Sequence, residues 1–302
     1  MATYKRKRAN VQRICLVVAC AAVVGLAVGL GLSLAANAQN SARSESLMQE
    51  NKQLQSALAE ESARVSSLEQ LTTTTTAPTT TTTTSPTDPT SPPDDGRKLV
   101  ALTFDDGPGG TTAALLDELK ARGMKATFFM VANRVNAYPD TVKRMVAEGH
   151  EVASHSYQHA AIAKMSVDAC REDLTKAQDA IERVAGVAPR LLRPPGGSTS
   201  DTLRTVTAQM GLRMINWSVD TQDWKSRDPQ AIFDTAFQDG PYGIRDGAIV
   251  LMHDIYSSTV DGAVRILDRL QEEGYTCVTV SELLEARQGG GTAGELYTFV
   301  GK

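Results

Sequence analysis

Between Arg97 and Gln288 the sequence repeats one pattern, a short apolar run followed by a longer amphipathic one. The short runs predict strands over Lys98–Phe104, Ala126–Val131, Glu151–Ser154, Arg190–Leu192, Arg213–Val219, Ala248–Met252 and Thr276–Val280. Helices are expected between them, over Thr112–Arg122, Thr141–Glu148, Val167–Val184, Thr202–Gln209, Pro229–Phe237 and Val260–Glu273. Strands separated by helix-length segments pair in parallel, because a parallel neighbour is reached only through a long crossover. Seven such units fit a parallel sheet or barrel. A doubly wound open sheet fits the same pattern, since closure leaves no mark on periodicity.

In either architecture ligands bind beyond the carboxyl ends of the strands, so the residues just after each strand matter most. The first strand, in "LVALTFDDGPGG", stops on Asp105 and Asp106. His155 and His159 come after the third, Arg193 after the fourth in "RPPGG", Asp220 and Asp223 after the fifth in "DTQDW", and His253 and Asp254 end "MHD" after the sixth. Each has a plain structural reading. Asp-Gly-Pro ends strands and builds turns; two histidines four apart share a face only on a helix; Arg193 with Asp223 makes an ordinary ion pair; Trp224 packs a core or rim. Yet three of the four histidines in the chain fall on this one rim. His150, in the turn before its strand, reads as structural.

Two imidazoles and one carboxylate leave open positions on a divalent cation, as a catalytic rather than a closed structural site requires. Such an ion lowers the pKa of water and polarises a carbonyl oxygen. A second carboxylate would take a proton from the attacking water, and an imidazole would protonate the leaving group.

The segments ahead of this unit point to export. Lys5, Arg6, Lys7, Arg8 and Arg13 precede an uncharged apolar stretch over residues 14–36, long enough to cross a bilayer core of about 30 Å. The charge bias puts residues 1–13 in the cytoplasm and the rest outside, giving a single-pass protein of the cell membrane. The competing reading is a signal peptide cut after "ANA" at 36–38, but the apolar stretch is longer than the ~7–15 residues of a cleaved signal. Residues 37–71 carry Leu47, Leu54 and Leu68 at multiples of seven, with Leu58 and Val65 between. They predict a helical stalk, either a coiled coil that makes a homo-oligomer or a lone amphipathic helix, since Asn51 and Glu61 share the seam. Residues 72–96 are a Thr/Pro tract expected to be a disordered linker; at about 3.1 Å per residue it would hold a domain roughly 70 Å away. A cell wall is the substrate that such a tether implies. A net charge of −4 over 302 residues argues against nucleic acid as a partner. Cys170 and Cys277 fall in a predicted helix and a predicted strand, which favours two buried thiols at least as much as a disulfide. The tail 289–302 has no functional reading.

Together the motifs resemble the NodB-like polysaccharide deacetylases, carbohydrate esterase family four. "TFDDGP" at 103–108, "HSYQH" at 155–159, "RPPGG" at 193–197, "DTQDW" at 220–224 and "IVLMHD" at 249–254 stand in the family's order across a domain of residues 97–288. The resemblance implies a distorted (β/α)7 barrel. It implies that Asp106, His155 and His159 bind one divalent metal ion, zinc or another transition ion such as cobalt. Asp105 would be the general base, oriented by Arg193; His253 would be the general acid, with Asp223 partnering His253 or Arg193. Trp224 and Leu251 would wall the pocket for the acetyl methyl. Gly196 would offer its backbone N–H to the oxyanion, although many members carry an aromatic residue there. The implied reaction removes N-acetyl groups from N-acetylglucosamine in a cell-wall polysaccharide such as peptidoglycan. De-O-acetylation of a polysaccharide such as xylan and a non-catalytic wall-binding module are the rival readings; glycoside hydrolysis would need no metal.

Overall fold

The computed structural model describes residues 96–301. The basic segment, apolar span, stalk and all but the last residue of the Thr/Pro tract lie outside the described residues. Among the described residues no helix is long and apolar enough to cross a membrane.

The strands are β1 (Lys98–Asp105), β2 (Thr127–Met130), β3 (Glu151–Ser154), β4 (Leu191–Leu192), β5 (Arg213–Ile215), β6 (Val219–Asp220), β7 (Ala248–His253), β8 (Tyr275–Cys277) and β9 (Leu296–Tyr297). The helices are α1 (Thr112–Ala121), α2 (Pro139–Ala147), α3 (Val167–Ala185), α4 (Asp201–Gln209), α5 (Asp223–Ser226), α6 (Pro229–Ala236), α7 (Ser257–Glu272) and α8 (Val280–Gln288). The strand order is β6-β7-β1-β2-β3-β4-β5-β9, with β8 paired to the start of β1. Every strand pairing is parallel.

Residue alternation along β1 explains why this strand is central. Leu99 and Ala101 point inward with Phe129, Ala153, Leu191, Ile215 and Ile249. Val100, Leu102 and Phe104 point outward and pack with Leu115, Leu119, Ile266 and Leu270 of the covering helices. A strand buried on both faces reads as a continuous apolar run, as Leu99–Phe104 does. The helices bring matching stripes. In α3 Cys170, Leu174, Ala177 and Ile181 are buried; Ser166 caps its start by accepting from Ala169 N–H, and left-handed Gly186 ends it.

Three expectations change. The run Arg213–Val219 is two strands: β5 pairs with β4, whereas β6 pairs with β7 on the far side of the sheet. The chain between Ile215 and Val219 can span no more than roughly 14 Å, so this one segment draws the two sides of the sheet together into a distorted (β/α) barrel. The last expected strand ends at Cys277, because Thr279 and Glu282 form a capping box that starts α8 at Val280. The tail, which carried no reading, is structural. Its β9 lies along β5, Phe299 bridges to Ala248, and Val300 N–H donates to Gly247 O at 2.9 Å, so it laces β5 to the start of β7. Cys170 and Cys277 are both free and buried.

His150 is structural, as expected. It is 6% exposed, its Nδ1 accepts from Ala126 N–H at 3.2 Å, and its ring meets Phe128 edge-on at 5.6 Å. Burial holds its pKa down to about 4. Between that value and the ordinary 6.5 the unfolded chain takes a proton that the folded one refuses, so folding stability falls as pH drops through this window. In His150→Asn, which keeps an acceptor for Ala126, the fall in Tm between pH 6.5 and 4 becomes shallower; thermal unfolding across that range checks it. Truncation after Gly291 removes the wholly buried Val300 with β9, a loss of ~2 kcal/mol or more. Calorimetry of the truncated chain is expected to show Tm lower by roughly 4–8 °C.

Candidate active site

The parallel register sets the first pair. Asp105, last residue of β1, is the partner of Phe129 in β2 and of His253 in β7. A carboxylate and an imidazole therefore end adjacent strands at the same level. Asp106 turns away from the strand with φ 69°, a left-handed conformation that aspartate tolerates better than most residues. The next turn is braced from β7. Asp254 is wholly buried, and its carboxylate lies so close to Gly107 that a Cβ there would collide with Oδ1, which only glycine avoids. Thr112 Oγ1 donates to Asp254 Oδ2 and accepts from Gly109 N–H at 2.8 Å. Burial pushes the Asp254 carboxyl up to about 7. The sequence places Asp254 beside His253 but offers no role for it; its partner Gly107, in the strand-ending turn, was the signal.

His155 and His159 converge, though not on a helix. They follow β3 in an irregular turn in which Ser156 and His159 take φ 65° and 60°. The pairing expected only of a helical segment is achieved by left-handed backbone instead. His155 is 3% exposed, and its Nδ1 lies 2.7 Å from Arg193 O. A carbonyl only accepts, so Nδ1 carries the proton and Nε2 keeps its lone pair. That Nε2 is 3.7 Å from both Asp105 Oδ2 and Asp106 Oδ1. Half-exposed His159 places Nε2 3.4 Å from Asp106 Oδ1. Burial drives the His155 pKa down against the opposing pull of Asp105 and Asp106, favouring the neutral ring that a cation needs.

One ligand atom from each of Asp106, His155 and His159 falls within a 4.8 Å cluster. Asp106 Oδ1 is buried without a hydrogen-bond partner, a costly condition for a carboxylate oxygen unless a cation meets it. The donor set is one carboxylate and two imidazoles, which suits zinc and related transition ions. These residues fit a divalent metal.

Arg193 is among the largest fully buried side chains. Its Nη1 donates to Asp105 Oδ1 at 2.7 Å and to Thr103 Oγ1 at 2.8 Å, Nε to Ile215 O at 3.2 Å, and Nη2 to Asn216 O at 3.1 Å. The guanidinium also stacks 4.1 Å from the centre of the Phe129 ring. Asp105 Oδ1 is thereby occupied, and Oδ2 faces the metal-ligand cluster.

Asp223, which the sequence left between two partners, belongs to His253. Its Oδ1 lies 2.9 Å from His253 Nδ1, and its Oδ2 accepts from His253 N–H and Thr259 Oγ1, both at 2.7 Å. Burial alone would pull the His253 pKa down, but the Asp223 hydrogen bond and charge outweigh it and hold the imidazole above its ordinary value. Asp220 only accepts from Gln222 N–H two residues on, a local turn contact. Leu251, 4% exposed, sits two residues before His253 on the same strand face, while Trp224 stands out at 49% exposure. Gly196 takes φ 66° with open space around its missing Cβ, and its N–H makes no hydrogen bond among the described residues.

Comparison with known proteins agrees with this geometry. Residues 93–215 match the family model described as polysaccharide deacetylase. The peptidoglycan-N-acetylmuramic acid deacetylase PdaC of Bacillus subtilis is 41% identical over 196 residues, covering 65% of this chain and 40% of that protein. A peptidoglycan-N-acetylglucosamine deacetylase of Bacillus cereus is 33% identical over 191 residues, 62% of this chain and 68% of that protein. Among solved structures, a family 4 acetyl xylan esterase from Clostridium thermocellum in complex with a cobalt ion aligns with TM-score 0.61 and 33% identity, over 67% of this chain and 99% of that one. The chain spans about two fifths of the length of the first of these relatives. With the β1, β3, β4 and β7 residues gathered at one rim, the chain belongs to the polysaccharide deacetylase family.

Proposed function

We propose that this chain is a metal-dependent deacetylase that hydrolyses N-acetyl groups of N-acetylglucosamine residues in a cell-wall polysaccharide, peptidoglycan foremost. The observation that carries this reading is the pair of differently prepared groups at the ends of β1 and β7. Asp105 is tied to a buried guanidinium, and His253 is held toward its protonated form by Asp223. Metal binding alone requires neither, which disfavours a mere binding module.

Asp106, His155 and His159 would hold the cation, which supplies Lewis acidity toward water and the amide carbonyl. Asp105 accepts the proton of the attacking water through Oδ2 while Arg193 keeps the carboxylate aimed. As the carbonyl carbon becomes tetrahedral, Gly196 N–H donates to the oxygen that gains charge. His253 then passes its proton to the sugar nitrogen, the C–N bond breaks, and acetate and a free amine leave. Leu251 and Trp224 bound the side on which the acetyl methyl lies. The same reading places the domain outside the cell, carried by the span at 14–36; the flanking positive residues and the Thr/Pro tract support it.

Acetate release from N-acetylglucosamine oligomers and from peptidoglycan, with added zinc or cobalt and in excess chelator, tests the proposal. Activity is expected only with metal, and Asp105→Asn is expected to lose roughly 10²- to 10⁴-fold in kcat while binding metal normally. Release from acetylated xylan alone would move the assignment to an O-acetyl esterase.

Loss of the Asp223 partner has a separate signature. Asp223→Asn lowers the His253 pKa, so the alkaline limb of the kcat/KM–pH profile, where the acid loses its proton, moves to lower pH. A profile whose alkaline limb stays in place would remove His253 from the role of proton donor.

A further inference from the structure

Two arginines at the rim of the site have no part in the mechanism above. Arg227 follows α5 with φ 52°, a left-handed backbone that is strained for a side chain of this type. It is held there by its own side chain. Nε donates to Trp224 O at 2.9 Å, and the guanidinium lies 3.2 Å over the ring of Tyr256, whose centre is 6.3 Å from that of His253. Both terminal nitrogens of Arg227 remain unengaged by protein among the described residues. Arg134, in the 3-10 turn Ala132–Ala137 on the metal-ligand side, donates from Nη1 to Asp106 O at 3.0 Å and is otherwise exposed. Arg122, Arg144, Arg269 and Arg287 each meet a carboxylate. Among the described residues neither Arg134 nor Arg227 does.

At the centre of the site Asp105 is matched by Arg193 and Asp223 by His253, so the two outlying guanidiniums are left to meet an anionic substrate. One guanidinium stands beside Asp106, and the other packs on Tyr256, the neighbour of His253. A guanidinium presents N–H donors in a planar fork that matches a carboxylate and stays charged at all working pH.

Resting on the deacetylase reading, we propose that Arg227 and Arg134 recognise a carboxylate borne by the sugar next to the reacting N-acetylglucosamine. The preferred substrate is then an anionic glycan, and neutral N-acetylglucosamine polymers are second choice. The ether-linked acid of muramic acid, or the peptide that extends from it, presents such a group.

The test compares three probes with the full chain: a neutral N-acetylglucosamine tetramer, peptide-free glycan strands whose muramic acid carboxylates are exposed, and peptide-bearing strands. For Arg227→Gln the ratio of kcat/KM on the anionic strands to that on the tetramer is expected to fall about five- to tenfold, through KM. Arg134→Gln is expected to act in the same direction, Arg227→Lys to recover part of the loss, and added salt to reproduce it in the unaltered chain. Whichever anionic strand shows the larger fall identifies the acid that is read. A ratio unchanged by Arg227→Gln, or an equal loss on neutral and anionic glycans, overturns the proposal. Direct binding of the same strands to Asp105→Asn, followed by tryptophan fluorescence, keeps the two readings apart. If no glycan releases acetate yet Arg227→Gln weakens binding of the anionic strands alone, the deacetylase reading fails and the carboxylate site stands. If binding is also indifferent to Arg227, the carboxylate site fails.

Discussion

A guanidinium at the centre of a barrel is the constraint on which the rest of this structure depends. Arg193 is fully buried, and moving such a cation out of water costs several kcal/mol unless its hydrogen bonds and charge are met. The protein meets them from three separate places in the chain: Thr103 and Asp105 on β1, the successive carbonyls of Ile215 and Asn216 at the end of β5, and the face of Phe129 on β2. Burial works against the charged form of Arg193, and Asp105 works for it. Removing one partner would strand the other, so carboxylate and guanidinium are kept together by mutual need. The same residue reaches further, since its carbonyl fixes the tautomer of His155. One side chain and one carbonyl of Arg193 thus fix both Asp105 and His155.

Parallel pairing supplies the rest of the geometry. Because β1 lies between β7 and β2 in register, Asp105 and His253 end their strands side by side. Their environments then diverge. Asp105 shares its oxygens between Arg193 and the metal-ligand cluster, whereas His253 leans on a carboxylate that is itself saturated by Thr259 and backbone N–H groups. Neighbouring positions on one rim are thereby suited to opposite tasks, taking a proton and giving one. Asp254 and Gly107 lock the two loops against each other, so the spacing between these groups is set by packing rather than by a flexible turn.

Much of this is legible in the sequence. Short apolar runs marked the strands because β1 and its neighbours are buried on both faces, and the polar residues that interrupt those runs had to sit at strand ends. The motif residues Asp105, Asp106, His155, His159, Arg193, Asp223 and His253 all lie at that rim. What could not be read were features that depend on distant partners or on backbone torsion. The pairing of Asp223 with His253 rather than Arg193 depends on where β6 and β7 meet. The convergence of His155 and His159 depends on left-handed residues that have no compositional mark, since neither Ser156 nor His159 is glycine.

The sequence by itself determined the alternation of strand and helix, the rim on which chemistry gathers, and the identity of the groups gathered there, because burial and turn chemistry act locally on residue type. Only the tertiary structure decided how the barrel closes. The split of Arg213–Val219 between β4 and β7, and the return of the tail along β5 to Gly247, join segments far apart in the chain through backbone hydrogen bonds available to any residue. Backbone groups carry no sequence signature, so closure is settled only when the whole sheet has curled and its two sides come within reach.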